Sequence, residues 1–97
     1  MKYLTIDGCL GSTGIRDKYN SEFLYPSDLG LSPAIISQIE VWMTKYESEH
    51  FEGFANKDVI IKLDAEGREI AKKIKEELAG VKLEYFSAGT MAWEIID

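Results

Sequence analysis

The sequence predicts an α+β domain with two helices packed on one face of a small mixed sheet, on three observations. A run starting at Asn56 carries apolar residues at steps of three and four. A second run, starting at Ser32, does the same behind a strong helix-start signal. Short segments near both ends alternate with period two. The resulting order is strand, loop, helix, helix, strand, strand. It makes the first strand and the strand after the second helix parallel neighbours, joined by a helical crossover. At 97 residues and 45% hydrophobic composition the chain fits one domain, residues 1–97, with a single modest core.

The first strand is read from Lys2 to Asp7, with Leu4 and Ile6 on one face, Tyr3 and Thr5 on the other, and Gly8 as its stop. Gly8 to Gly14 has the glycine density of a phosphate loop. No lysine follows, however, and Ile15-Arg16-Asp17 is a poor start for a phosphate-binding helix, so a turn or bulge is the expected use. Ile15 to Leu31 is rich in turn formers and reads as irregular, with Phe23, Leu24 and Tyr25 as a short edge strand. Ser32 as cap and Pro33 at the first helical position start a helix whose apolar face is Ile35, Ile36, Ile39, Trp42, Met43, Tyr46 and His50, ending near Glu49. His50, the only histidine, continues that stripe and is expected to pack or to sit at the helix end.

In the long run, Val59, Ile60, Leu63, Gly67, Ile70, Ala71, Ile74 and Leu78 share one stripe, which Ile61 alone leaves. Asn56 caps it, Asp58 lies in the first turn and Gly80 follows the end, giving a helix from about Lys57 to Ala79. A competing reading makes Val59 to Leu63 a strand and caps a shorter helix with Asp64. An interior helix glycine costs ~1 kcal/mol against alanine, so Gly67 in the middle of the stripe points to a close approach by another backbone, that of the first helix or of a strand crossing there. The other reading of Gly67 is an accidental glycine. Val81 to Phe86 alternates as a strand, with Val81, Leu83 and Tyr85 on one face. After the turn residues Ser87 to Thr90, Met91, Trp93 and Ile95 alternate as a last strand returning in a hairpin.

Catalysis needs convergent groups, and the chain offers one His, one Cys and carboxylates spread along helix surfaces, with no ligand spacing or catalytic signature. No enzyme activity, cofactor or metal is therefore expected. Cys9 cannot form an internal disulfide and is expected to pack as a small apolar residue. No apolar run approaches the ~20 residues that span a bilayer and the N-terminus lacks a signal-peptide pattern, so a cytoplasmic protein without membrane contact is expected.

Net charge is −6, and residues 20 to 52 hold nearly all the excess: Glu22, Asp28, Glu40, Glu47, Glu49 and Glu52 stand against Lys45 alone. Such a surface repels nucleic acid and attracts basic partners, although simple solubility accounts for it equally well. Tyr19, Phe23 and Tyr25 in the preceding loop bring large contact area at low entropic cost, or else pin the loop to the core.

Four features together resemble the small immunity proteins encoded beside contact-dependent growth inhibition and related polymorphic toxins of bacteria. They are the strand ending Ile6-Asp7-Gly8, the segment Ser12-Thr13-Gly14-Ile15-Arg16-Asp17, the helix opening Leu29-Gly30-Leu31-Ser32 with Trp42 to Tyr46 following, and above all Leu63-Asp64-Ala65-Glu66-Gly67-Arg68-Glu69-Ile70-Ala71 leading to Leu83-Glu84-Tyr85-Phe86. The resemblance covers most of the chain and implies a stoichiometric inhibitor of a cognate toxin domain, many of which are basic nucleases. It supplies no shared catalytic motif. The expected contact residues, Tyr19, Glu22, Tyr25, Asp28, Glu40, Glu47 and Glu49, rest on charge and exposure alone. The alternative is a small acidic interaction or regulatory module unrelated to toxins, homodimeric through a sheet edge or through the Tyr19 to Tyr25 loop.

Overall fold

Period-two alternation at both ends of the chain closes into one four-stranded sheet. The computed structural model describes residues 2–20 and 22–96. Strands β1 (Tyr3–Asp7), β2 (Ile15–Asp17), β3 (Lys82–Ser87) and β4 (Ala92–Ile96) lie in the order β2-β1-β3-β4. Helices α1 (Pro33–Phe51) and α2 (Lys57–Glu77) fall between β2 and β3 in sequence. The β1–β3 pair is parallel, Leu4 opposite Leu83 and Ile6 opposite Tyr85, and the two outer pairs are antiparallel. This is an α+β fold with two helices packed against a mixed sheet.

The helix-facing side of the sheet is the core. Leu4, Ile6, Ile15, Leu83, Tyr85 and Ile96 meet Ile35, Ile39, Trp42 and Tyr46 of α1 and Leu63, Ile70, Ala71 and Ile74 of α2. At roughly 1.5–3 kcal/mol for each large apolar side chain withdrawn from water, these residues dominate folding. The Trp42 indole N–H, sunk completely, donates to the Leu63 carbonyl at 2.9 Å and so ties α1 to α2 without leaving a polar atom unpaired.

Both helix starts form as the sequence indicates. The Ser32 hydroxyl accepts from the Ile35 N–H with Pro33 behind it, and the Asn56 side chain accepts from the Asp58 and Val59 N–H groups. Val59 to Leu63 is helical, and Asp64 lies inside α2 rather than capping it. The boundaries shift a little. Helix α1 continues two residues past Glu49, to Phe51, and α2 stops at Glu77 because Leu78 leaves helical geometry (φ −107°, ψ 73°). β3 begins at Lys82 rather than Val81 and runs on to Ser87, and the returning last strand forms as β4.

Two expectations are corrected. The edge strand is Ile15–Asp17 and not Phe23 to Tyr25; Phe23 makes only a single bridge, to Arg16. The Gly8–Gly14 loop turns the chain back, with the Asp7 N–H donating to the Gly14 carbonyl, and this delivers Ile15 to the core opposite Ile6. A strand, β3, does cross near Gly67, but its backbone is not what approaches. A β-carbon there would overlap the ring of Tyr85, so what approaches is a tyrosine side chain from β3, not a neighbouring backbone.

Candidate functional site

Most groups able to do chemistry are committed to holding the structure. Asp64, 4% exposed, accepts hydrogen bonds from the hydroxyls of Tyr46 (2.8 Å) and Tyr85 (2.6 Å) on one oxygen and of Ser87 (2.7 Å) on the other. The Tyr46 oxygen in turn accepts from the Gly89 N–H at 3.1 Å, so the network joins α1, α2, β3 and the β3–β4 turn. Burial pushes both tyrosine pKa values up, and for Tyr85 the hydrogen bond to Asp64 adds to the shift, which keeps the hydroxyls neutral donors. His50 is placed as expected. Its Nε2 lies 2.8 Å from the Gly8 carbonyl, which can only accept, and its ring packs on Phe54.

Cys9 is half-buried, and burial next to the Asp7 carboxylate raises its pKa to about 11, which suppresses the nucleophilic thiolate. Asp7 accepts from the Cys9 N–H through one oxygen. Its other oxygen has Arg16 Nη2 at 3.1 Å as a charge partner, without an aligned hydrogen bond. Among the described residues no group of three or more His, Cys, Asp or Glu side chains is disposed to hold a metal ion. None of the described helices is long and apolar enough to cross a membrane.

Two concave surfaces stand out by volume. The larger, of about 700 Å³, lies on the sheet face that carries no helix and is lined by Tyr3, Thr5, Arg16, Lys18, Glu84, Trp93, Glu94 and Ile95. Its charges are already paired: Lys18 donates to Glu84 at 2.9 Å, Arg16 faces Asp7, and Arg68 holds Glu94. The carboxylate partners raise the pKa values of Lys18 and Arg68. Trp93 packs on Phe86 with ring centres 4.5 Å apart and still has 56% of its surface exposed.

The smaller surface, about 380 Å³, is a groove between α1 and the loops before it. Ile36, Ile39 and Met43 line it with apolar surface, Tyr25 and Pro26 enter from the loop, and Glu40 lies on its α1 side. Gly14 lets the loop pack closely on Ile39, because a β-carbon there would run into that side chain, and its φ of +93° suits glycine.

The groove brings together two of the seven expected contact residues, Tyr25 and Glu40. Asp28 is close in sequence, in the 3-10 turn Pro26–Leu29, where its N–H donates to the Tyr25 carbonyl at 3.0 Å. Glu47 is exposed farther along α1, and Glu49 is half-buried. Tyr19 and Glu22 do not line the groove: Tyr19 stands edge-on to Tyr3 at 5.9 Å, and Glu22 uses its carbonyl to accept from the Asp17 N–H. Sequence reasoning missed Tyr3, Lys18, Trp93 and Ile95 as surface formers. The alternation of Trp93 and Ile95 was legible, but not which face of the strand stays uncovered.

Ion pairing separates the acidic groups. The five pairs among the described residues use Asp7, Glu66, Glu69, Glu84 and Glu94. Lys45, the sole cation of residues 20 to 52, points to Glu66 on α2, at 3.3 Å. Among the described residues none of the five acidic contacts expected, Glu22, Asp28, Glu40, Glu47 and Glu49, has an ion-pair partner. No protein-family model, curated protein or solved structure matches this chain.

Proposed function

We propose that this chain is an immunity protein that binds the toxin domain delivered by a neighbouring bacterial cell and blocks it by occupancy in the cytoplasm, without chemistry of its own. The observation that supports this reading is the fate of Lys45. Because α2 draws it away to Glu66, no cation among the described residues pairs with Glu40, which lies beside a groove with apolar lining and a tyrosine that is 64% exposed, or with Glu47 farther along α1. A basic nuclease surface is the complement of that arrangement: fields of opposite sign speed encounter, and an aromatic in an apolar groove supplies affinity. The uncovered sheet face suits this partner less well, since its charges are satisfied internally.

The test is co-expression with the toxin domain encoded directly upstream, followed by co-purification and growth rescue. Glu40→Lys/Glu47→Lys is expected to lower the association rate at least tenfold at low salt and to leave the dissociation rate within a few-fold, whereas Tyr25→Ala raises the dissociation rate. A folded, active toxin domain that fails to co-purify removes this reading and leaves an interaction module unrelated to toxins.

A further inference from the structure

The two edges of the sheet are finished differently. At the β2 edge the chain covers itself: the Asp17 N–H donates to the Glu22 carbonyl and the Leu24 N–H to the Ile15 carbonyl. At the β4 edge, none of the described residues pairs with the strand beyond β3. β4 also lacks most of the devices that usually blunt an edge, and its one charge, Glu94, is held by Arg68 of α2. The strand has no Pro, no Lys and no bulge, and its sequence Ala-Trp-Glu-Ile-Ile leaves Trp93 56% and Ile95 69% exposed.

We infer that the β4 edge is the site of self-association, where a second copy of the chain adds its own β4 antiparallel about Glu94 to make a continuous eight-stranded sheet. The strand is self-complementary in that register. A two-fold axis at Glu94 sets Trp93 of each copy opposite Ile95 of the other on the uncovered face, and Ala92 opposite Ile96 on the helix face. Both are apolar cross-strand pairs of the kind that stabilise antiparallel ladders. The central pair would be two glutamates, a repulsive contact if they were bare. Arg68 of α2 already holds each Glu94 in its own chain, so the axis is charge-compensated. A register shifted by one residue would move the apolar pairs to opposite faces, and a shift of two either way would set Glu94 opposite Ile96 or Ala92, so the pattern favours the pairing about Glu94.

This inference does not depend on the immunity reading, because it is tested on the purified chain alone. Sedimentation velocity between roughly 1 μM and 1 mM is expected to show a concentration-dependent species of twice the 11.0 kDa chain mass. Ile95→Lys places a charge against the facing Trp93 and is expected to weaken the dimer at least tenfold while leaving the circular dichroism spectrum and melting temperature near those of the parent. Register is read by cysteine cross-linking in a Cys9→Ser background. Glu94→Cys places two thiols across the axis, where directly opposite residues lie ~4.5–5.5 Å apart, within disulfide reach, and it should oxidise to a covalent dimer far faster than Thr90→Cys. A chain that is monomeric throughout the range overturns the inference. So does a dimer indifferent to Ile95→Lys, or a Glu94→Cys variant that cross-links no faster than Thr90→Cys.

Discussion

The two faces of the sheet bury carboxylates by opposite means. On the helix side Asp64 is enclosed by three neutral hydroxyls, contributed by α1 and β3, with no cation in hydrogen-bonding contact. On the other side Glu84, 4% exposed, accepts from the Thr5 hydroxyl at 2.9 Å and from Lys18, and Asp7 faces Arg16; both cations keep part of their surface in water. The first arrangement is a lock whose donors are buried away from water, with only the 3.4 Å contact between the Tyr46 and Ser87 hydroxyls as an alternative. In the second, the cations also pack over aromatic rings, with Lys18 Nζ 4.7 Å from the centre of Tyr3, and water can replace them. Burial of the acid is similar in both places; what differs is where its partners can go when it is removed.

Matched substitutions test this contrast most directly. Asp64→Ala removes the acceptor of three buried hydroxyls, of which only Tyr46 and Ser87 can turn to one another, and is expected to cost ~3–5 kcal/mol in urea unfolding. Glu84→Ala strands only Thr5, since Lys18 turns to solvent, and is expected to cost ~1–2 kcal/mol. Equal losses would break the comparison. Gly67→Leu attacks the same lock sterically, because any side chain there displaces the Tyr85 ring and with it a donor to Asp64. Overpacking of this kind costs typically ~1–3 kcal/mol, and a variant melting at or above the parent temperature would refute the contact.

Alkaline pH sharpens the comparison, because the donors of the lock are tyrosines whose folded pKa values lie above the unfolded value of ~10. Below pH ~10 both states keep these protons and the network contributes fully. Above it the unfolded chain releases protons that the folded chain retains, so stability falls as pH rises, by up to ~1.4 kcal/mol per pH unit for each such tyrosine. Tyr85→Phe should reduce the slope of stability against pH above 10; an unchanged slope would show that Tyr85 does not hold its proton. The smallest effect belongs to salt. Raising ionic strength screens the partly exposed Lys18–Glu84 pair and should slightly narrow the difference between parent and Glu84→Ala, with no change in the difference between parent and Asp64→Ala.

What the sequence determined by itself is the part set by short-range periodicity. The apolar repeats behind Ser32 and Asn56, each with a cap, specified both helices to within two residues at either end, and the alternation in Tyr3–Asp7, Lys82–Ser87 and Ala92–Ile96 specified three of the four strands. Connection rules then made β1 and β3 parallel neighbours. Ile15–Asp17 escaped because three residues carry too little alternation to separate a strand from a loop, and only the hydrogen bonds to β1 define it. The tyrosine over Gly67, the donors around Asp64 and the burial of Glu84 were decided by tertiary structure, since each depends on groups 18 to 79 positions away that no local pattern links. The same limit governed the contact residues. Charge and residue type chose all seven from composition, but only packing could bring Tyr25 and Glu40 to one groove, leave Tyr19 against Tyr3, and draw Lys45 across to Glu66, because side-chain neighbours are set by the crossing of α1 over the sheet and α2.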